Sequence, residues 1–211
     1  MNHSQDLKLR IKKIAENYFL SKGYKSVKID DIAHELGISK RTFYEIFDSK
    51  KDLFQEIIEE SLFSFRSRTN LIISRMSDSD HSNFLKELKN LWDVIIDHTS
   101  YFNIDVINDI KYNLPGHWIK CEKFDEERTE DFRKIYSSGI KRGYIKPNIS
   151  LEVFYVMHFH ALKYLLKPEN MKELGLSIKN ILSDFYEVLL TGVLTEKARK
   201  DFEKILTEKI N

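Results

Sequence analysis

Apolar residues recur at three- and four-residue intervals through most of this chain, which is the period of an α-helix with one buried face. Leu7, Ile11, Ile14, Ala15, Tyr18 and Phe19 predict a first helix ending near Gly23. Ile32, Leu36, Ile38, Phe43 and Ile46 then fall on two short helices pivoting on Gly37. Ser49, with an acid three positions on at Asp52, predicts the N-cap of a long fourth helix whose stripe is Leu53, Ile57, Ile58, Leu62 and Phe65. Met76 to Ser82 reads as a loop. Beyond it, helices are expected near 83–101, 103–113, 124–142, 151–166, 174–193 and 196–209, with breaks at Leu114-Pro115-Gly116, from Gly143 to Ser150, and around Pro168. Only three prolines and seven glycines punctuate 211 residues, and no alternating Val/Ile/Thr runs occur, so the expected fold is all-α.

The helices at 151–166 and 174–193 are apolar around most of their circumference. Leu151, Phe154, Tyr155, His158, Phe159, Leu162 and Leu166 form one stripe, while Val153, Val156, Met157 and Ala161 cover much of the rest. Ile178, Ile181, Leu182, Phe185, Leu189 and Val193 form a similar stripe on the second helix. A helix of this kind is buried on two sides. Together the two helices are the best candidates for a two-fold dimer interface, through Phe154, Leu162, Ile178, Ile181, Leu182, Phe185 and Leu189, the alternative being that both are monomer core.

The segment from Ile29 to Phe47 reads as a helix-turn-helix. Ala33 sits where the two helices cross, and a larger side chain there would force them apart. Gly37 can take the positive φ of a tight interhelical turn at little cost. Ser39 is placed to cap the second helix, whose polar start, Ser39-Lys40-Arg41-Thr42, is the end that a recognition helix presents to base edges.

Charge sharpens this only modestly. The whole chain carries a formal +1, but residues 1–54 hold eleven basic against eight acidic side chains, a bias of +3. Cys121 is the sole cysteine, which excludes an intrachain disulfide and a Cys-based zinc site. His117 and Cys121 share a face if helical, yet no third ligand is evident, and His158 and His160 point to different sides, so no metal or cofactor is expected. No glycine-rich phosphate loop, nucleophile elbow or paired-carboxylate motif stands out, and no enzyme is expected. No apolar run approaches the about 20 residues needed to span a bilayer, and no apolar signal core opens the chain, so a soluble cytoplasmic protein without membrane partners is expected.

From about Leu9 to Phe54 the chain resembles the TetR family of bacterial transcriptional regulators. The resemblance is carried by Ala15, Phe19, Gly23-Tyr24, Asp31-Ile32-Ala33, Gly37-Ile38-Ser39, Phe43-Tyr44, Phe47 and Ser49-Lys50 before Leu53. It implies a homodimer with a DNA-binding domain at 1–54 and a helical effector-binding and dimerisation domain at 55–211. It also implies a repressor that binds a palindromic double-stranded operator and is released by a small molecule. Ser39, Lys40, Arg41 and Thr42 match the base-reading positions, with Arg41 able to hydrogen-bond both acceptors of guanine. Lys28, Tyr44 and Lys50 suit phosphate contacts. For the effector, Trp92, Tyr101, Phe102, Tyr112, Trp118, Tyr155, His158 and Phe159 supply aromatic area for a largely apolar pocket. Two positions depart from the family pattern. Lys28 cannot cap the helix it precedes, which passes that task to Ser26, and Glu45 is expected to point away from DNA. The reading from another class is an all-helical protein-interaction adaptor whose N-terminal helices are purely structural.

Overall fold

The computed structural model describes residues 3–77, 83–101 and 104–207; within these, 3, 101, 104, 105, 121–127 and 168 are described in backbone only. Residues 78–82 of the expected loop therefore lie outside the described residues. The elements in chain order are α1 (His3–Ser26), α2 (Ile29–Leu36), α3 (Lys40–Tyr44), α4 (Lys50–Ser77), α5 (Phe84–Tyr101), α6 (Ile104–Asn113), α7 (Pro115–Lys141), α8 (Leu151–Leu165), α9 (Pro168–Leu174), α10 (Ile178–Val193) and α11 (Glu196–Thr207). The fold is all-α; among the described residues the only extended pairing is an isolated antiparallel bridge between Ile145 and Leu194.

Two expectations about boundaries are corrected. Leu114-Pro115-Gly116 is not an extended break, because α7 starts at Pro115 itself. Proline suits the first helical position, where its missing N–H would have no partner anyway. Leu114 bridges the two helices: its N–H donates to the Ile110 carbonyl, and its own carbonyl accepts from His117 and Trp118. By the same logic Pro168 opens the short helix α9, and Gly175, at φ 64°, closes it before Ser177 caps α10.

The chain divides into two compact units, residues 1–64 with 101–122 and residues 65–100 with 123–211. In the first, Ile11, Ala15, Phe19, Ile32, Phe43, Leu53 and Phe54 form a cluster from which water is excluded, and Val106, Ile110 and Leu114 belong to the same cluster. Core packing around the helix-turn-helix thus reaches well past residue 54. Gly23 (φ 73°) turns the end of α1 so that the Tyr24 N–H donates to the Asp109 carboxylate at 2.7 Å. Nearby, the buried His117 ring meets the Glu59 carboxylate at 2.6 Å.

In the second unit, Tyr136 donates to the Ile149 carbonyl at 2.5 Å, and Ser138 donates to the carbonyl of Met76 at 2.9 Å. Lys146 N–H to Val193 and Thr195 N–H to Tyr144 fasten the loop after α7 to the end of α10. Gly139 permits this approach, since a Cβ there would lie 2.4 Å from Ile145 Cδ1 and 3.1 Å from Phe84 Cζ. Overpacking of this kind costs about 1–3 kcal/mol, against a helix-propensity gain of about 1 kcal/mol for replacing glycine. Gly139→Ala is therefore expected to lower the unfolding free energy by about 1 kcal/mol, measurable by urea denaturation; a stabilised variant would show that Ile145 moves aside freely.

Candidate functional site

The first unit builds a short polar helix on an apolar frame. Gly37 takes φ 66°, and the N–H groups of Gly37 and Ile38 return to the carbonyls of His34 and Ala33, so α2 closes in a single left-handed residue. Ala33 is buried at the crossing, Ile32 and Phe43 are fully buried, and Leu36, Ile38 and Ile46 pack against the same cluster. Ser39 caps α3, its Oγ accepting from the Thr42 N–H at 3.0 Å. Position and direction of α3 are thereby set by local turn chemistry and by the burial of Phe43 and Phe47, whose rings lie 5.8 Å apart.

On this frame the expected base-reading side chains stand outward together. Arg41 is 89% exposed and Lys40 55%. Ser39 is exposed, while Thr42 is half-buried with its hydroxyl 2.8 Å from that of Ser39. Their charges are partly answered within the chain: Lys40 pairs with Asp30 at 3.0 Å, and Arg41 Nε donates to Glu45 at 3.2 Å. Glu45 thus lies one turn along the helix on the Arg41 side, because the i, i+4 spacing brings the two side chains together. Its carboxylate competes with any acceptor offered to Arg41. Glu45→Gln is expected to raise affinity for duplex DNA severalfold in a low-salt fluorescence anisotropy titration; a weaker-binding variant would make Glu45 a contact in its own right.

Of the expected phosphate contacts, Lys28 is exposed at the start of α2, and no side chain caps that helix, so Ser26 does not take over the task. Asp30 and Asp31 in its first turn offset the helix dipole instead. Tyr44 is 46% exposed, its ring edge-on to Phe43. Lys50 is engaged elsewhere. Its ammonium donates to the carbonyls of Tyr24 and Val27 at 2.8 and 2.9 Å and lies 4.4 Å from the Tyr24 ring centroid. Burial holds its pKa below the usual lysine value. No signal in the sequence could reveal this brace, since Lys50 meets partners more than twenty residues away. The cap of α4 is as expected, with Ser49 Oγ accepting from the Asp52 N–H at 3.1 Å.

The second unit contains a cavity of about 100 Å³. Trp92, His158 and Phe159, all expected in an effector pocket, line it, together with Phe132, Tyr186 and Arg128, which the pattern of the sequence did not single out. Tyr155 is not part of this wall; its hydroxyl meets Thr129 at 2.5 Å. Tyr112 is 73% exposed on α6, and Trp118 packs against the cluster of the first unit, so neither lines this cavity. Phe102 lies outside the described residues, as does the side chain of Tyr101.

The stripe expected to meet a second copy is partly occupied within this chain. Ile178, Ile181 and Leu182 are buried within the chain, Phe154 and Leu189 line the cavity, and Leu162 and Phe185 are half-buried. The helices do have a second apolar face, as their composition requires: Val153, Val156, Met157 and Tyr164 on α8 and Val188 on α10 are each more than half exposed. Among the described residues no group of three or more His, Cys, Asp or Glu could hold a metal ion, and no helix is long and apolar enough to cross a membrane.

Residues 11–57 match the family model of bacterial regulatory proteins, tetR family. The chain is 22% identical over 186 residues to YvaF of Bacillus subtilis, an HTH-type transcriptional regulator, covering 87% of this chain and 95% of that one. Its fold superposes on a TetR-family transcriptional regulator from Marinobacter aquaeolei with a TM-score of 0.66 at 18% identity, covering 99% of this chain and 98% of the other. The ketosteroid transcriptional regulator KstR2 of Mycobacterium tuberculosis matches with a TM-score of 0.62 at 17% identity, over 93% and 97% of the two chains. At these identities the solved structures speak for the fold.

Proposed function

The chain belongs to the TetR family of bacterial regulatory proteins and is a helix-turn-helix transcriptional regulator, and from that premise we propose that it is a repressor released from its operator by a small molecule. Residues 1–54 act as the DNA-binding domain and 55–211 as the effector-binding and dimerisation domain. Ser39, Lys40, Arg41 and Thr42 read base edges, and Lys28 and Tyr44 meet phosphates. Lys50, whose ammonium is already held by two carbonyls, supports the site by bracing the end of α1 against the start of α4. The observation that carries this reading is the outward polar start of α3 on a closely packed apolar frame, with Arg41 89% exposed beside a capped N-terminus.

Two copies associate through the outer faces of α8 and α10, where Val153, Val156, Met157, Tyr164 and Val188 are each more than half exposed and would be covered by a partner. A two-fold dimer presents two α3 helices and so requires a palindromic site, with half-sites about one helical turn apart or a multiple of it. A ligand that binds one spacing of those helices better than another shifts DNA affinity by that difference. The test is selection of bound sequences from random duplex DNA at two salt concentrations, since phosphate contacts make affinity salt-dependent. An enriched palindrome is expected. Enrichment of a non-repeated site would remove the dimer, and salt-sensitive binding without enrichment would remove sequence reading.

A further inference from the structure

The walls of the cavity in the second unit are mostly rings and aliphatic side chains, and two buried nitrogen atoms stand among them unanswered. The indole Nε1 of Trp92 and Nδ1 of His158 are buried and have no hydrogen-bond partner among the described residues. Both residues line the cavity, and His158 is only 7% exposed. Neither ring is free to swing toward water. Trp92 stacks on Phe202 with centroids 5.9 Å apart and planes 15° apart, and lies 6.1 Å from Tyr186. His158 is held among Phe132 at 5.4 Å, Phe185 at 5.6 Å and Tyr186 at 5.5 Å. A buried N–H that the fold leaves unanswered is retained at a cost, and a bound acceptor would recover it.

The cavity also limits the size and charge of its occupant. One water takes up about 10–15 Å³ of such space, so about 100 Å³ has room for a compact small molecule. Arg128 and Asp131 both line it, one charge of each sign, so the walls carry no net charge to match an ion. Burial, helped by the positive charge of Arg128, lowers the His158 pKa to about 4, which keeps the imidazole neutral near pH 7. A neutral imidazole suits a hydroxyl, which can donate or accept, better than it suits a carboxylate.

We infer that the cavity selects a compact, uncharged aromatic molecule bearing a hydroxyl or carbonyl oxygen, with Trp92 Nε1–H donating to that oxygen and His158 Nδ1 offering the second polar contact. This rests on reading residues 55–211 as the effector-binding domain, and it names the chemical class of the effector. Aromatic faces supply affinity for the ring, and the two orphan nitrogens supply selectivity, because a site with an unmet donor discriminates against an analogue lacking the acceptor.

The test is isothermal titration calorimetry of the full-length protein at pH 7 with 2-naphthol, naphthalene and 2-naphthoate. 2-Naphthol is expected to bind at least tenfold more tightly than either of the others. Trp92→Phe keeps a ring in place but removes the donor, and is expected to remove most of the preference for 2-naphthol over naphthalene while leaving naphthalene unchanged. His158→Phe is a second variant, expected to weaken 2-naphthol severalfold and naphthalene not at all; circular dichroism melts establish that each variant folds. Equal binding of 2-naphthol and naphthalene, an undiminished preference in both folded variants, or no binding of 2-naphthol overturns the inference. A preference for 2-naphthoate overturns it too, because the cavity would then take anions through Arg128. Operator binding is measured separately: 2-naphthol that binds as expected yet leaves operator affinity unchanged counts against effector release and not against the ligand class.

Discussion

Arg41→Ala is expected to abolish discrimination between the selected operator and unrelated duplex while leaving the protein folded. Each bidentate arginine contact to guanine contributes about 1–3 kcal/mol of discrimination, and a dimer uses two of them, so specific affinity should fall between about thirtyfold and about twenty-thousandfold. The side chain is 89% exposed and its one polar partner is Glu45 on the same turn, so its removal disturbs no core contact. Nonspecific binding should weaken only slightly, by the loss of one positive charge from each copy. Competition anisotropy with operator and scrambled duplexes makes the comparison. A variant that retains the ratio of the two affinities would take base reading away from Arg41 and shift it to Ser39, Lys40 or Thr42.

The second large effect is loss of stability in mild acid. His98 lies flat on Phe65, with ring centroids 4.1 Å apart and planes 9° apart. Burial first, and then the guanidinium groups of Arg128 and Arg68, lower its pKa to about 4, and His158 is lowered to about 4 by burial and Arg128. Unfolded, each histidine titrates near about 6.5. Between these values the unfolded chain binds more protons than the folded one, so stability is complete above about pH 6.5 and declines as pH falls toward about 4. At about 1.4 kcal/mol per pKa unit the loss approaches about 3 kcal/mol for each ring. Carboxylates with depressed pKa, such as Glu59 beside His117, act through a lower window, since their contribution is lost only as pH falls below the ordinary carboxylate range. Urea midpoints should therefore be level from about pH 8 to 7 and decrease steadily from about pH 6.5 to 4.5, and His98→Phe should flatten that slope. A midpoint unchanged down to about pH 5 would mean that both rings reach solvent in the folded protein.

These two results depend on different levels of the molecule, which is also how far the sequence could be read. The helix-turn-helix was legible because its determinants lie within a few residues of one another. Gly37 for the left-handed turn, Ser39 for the cap, Ala33 at the crossing and Phe43 on the buried side are local requirements that a short stretch of chain states directly. The cap of α4 at Ser49 and the all-α fold follow from the same short-range periodicity. Periodicity also showed that α8 and α10 are apolar on two sides. It could not say which side this chain covers, because that depends on elements distant in the sequence, such as Phe132 of α7 against Phe154, and Trp92 of α5 against Tyr186. For the same reason aromatic composition could not sort pocket from surface: Trp92 and His158 line one cavity while Tyr112 stands in solvent.

Short-range chemistry written into the chain thus specifies the helices, the turn that joins α2 to α3 and the polar side chains that α3 carries, all consequences of hydrogen bonds and torsions closed over four or five residues. How those parts are used emerges only when the chain folds back on itself. Folding commits the ammonium of Lys50 to the carbonyls of Tyr24 and Val27, joins Val106, Ile110 and Leu114 to the core of the helix-turn-helix, and leaves the nitrogens of Trp92 and His158 unanswered beside a cavity. Long-range packing makes these choices because burial rewards any apolar partner alike, so the pairing follows from how the whole chain closes.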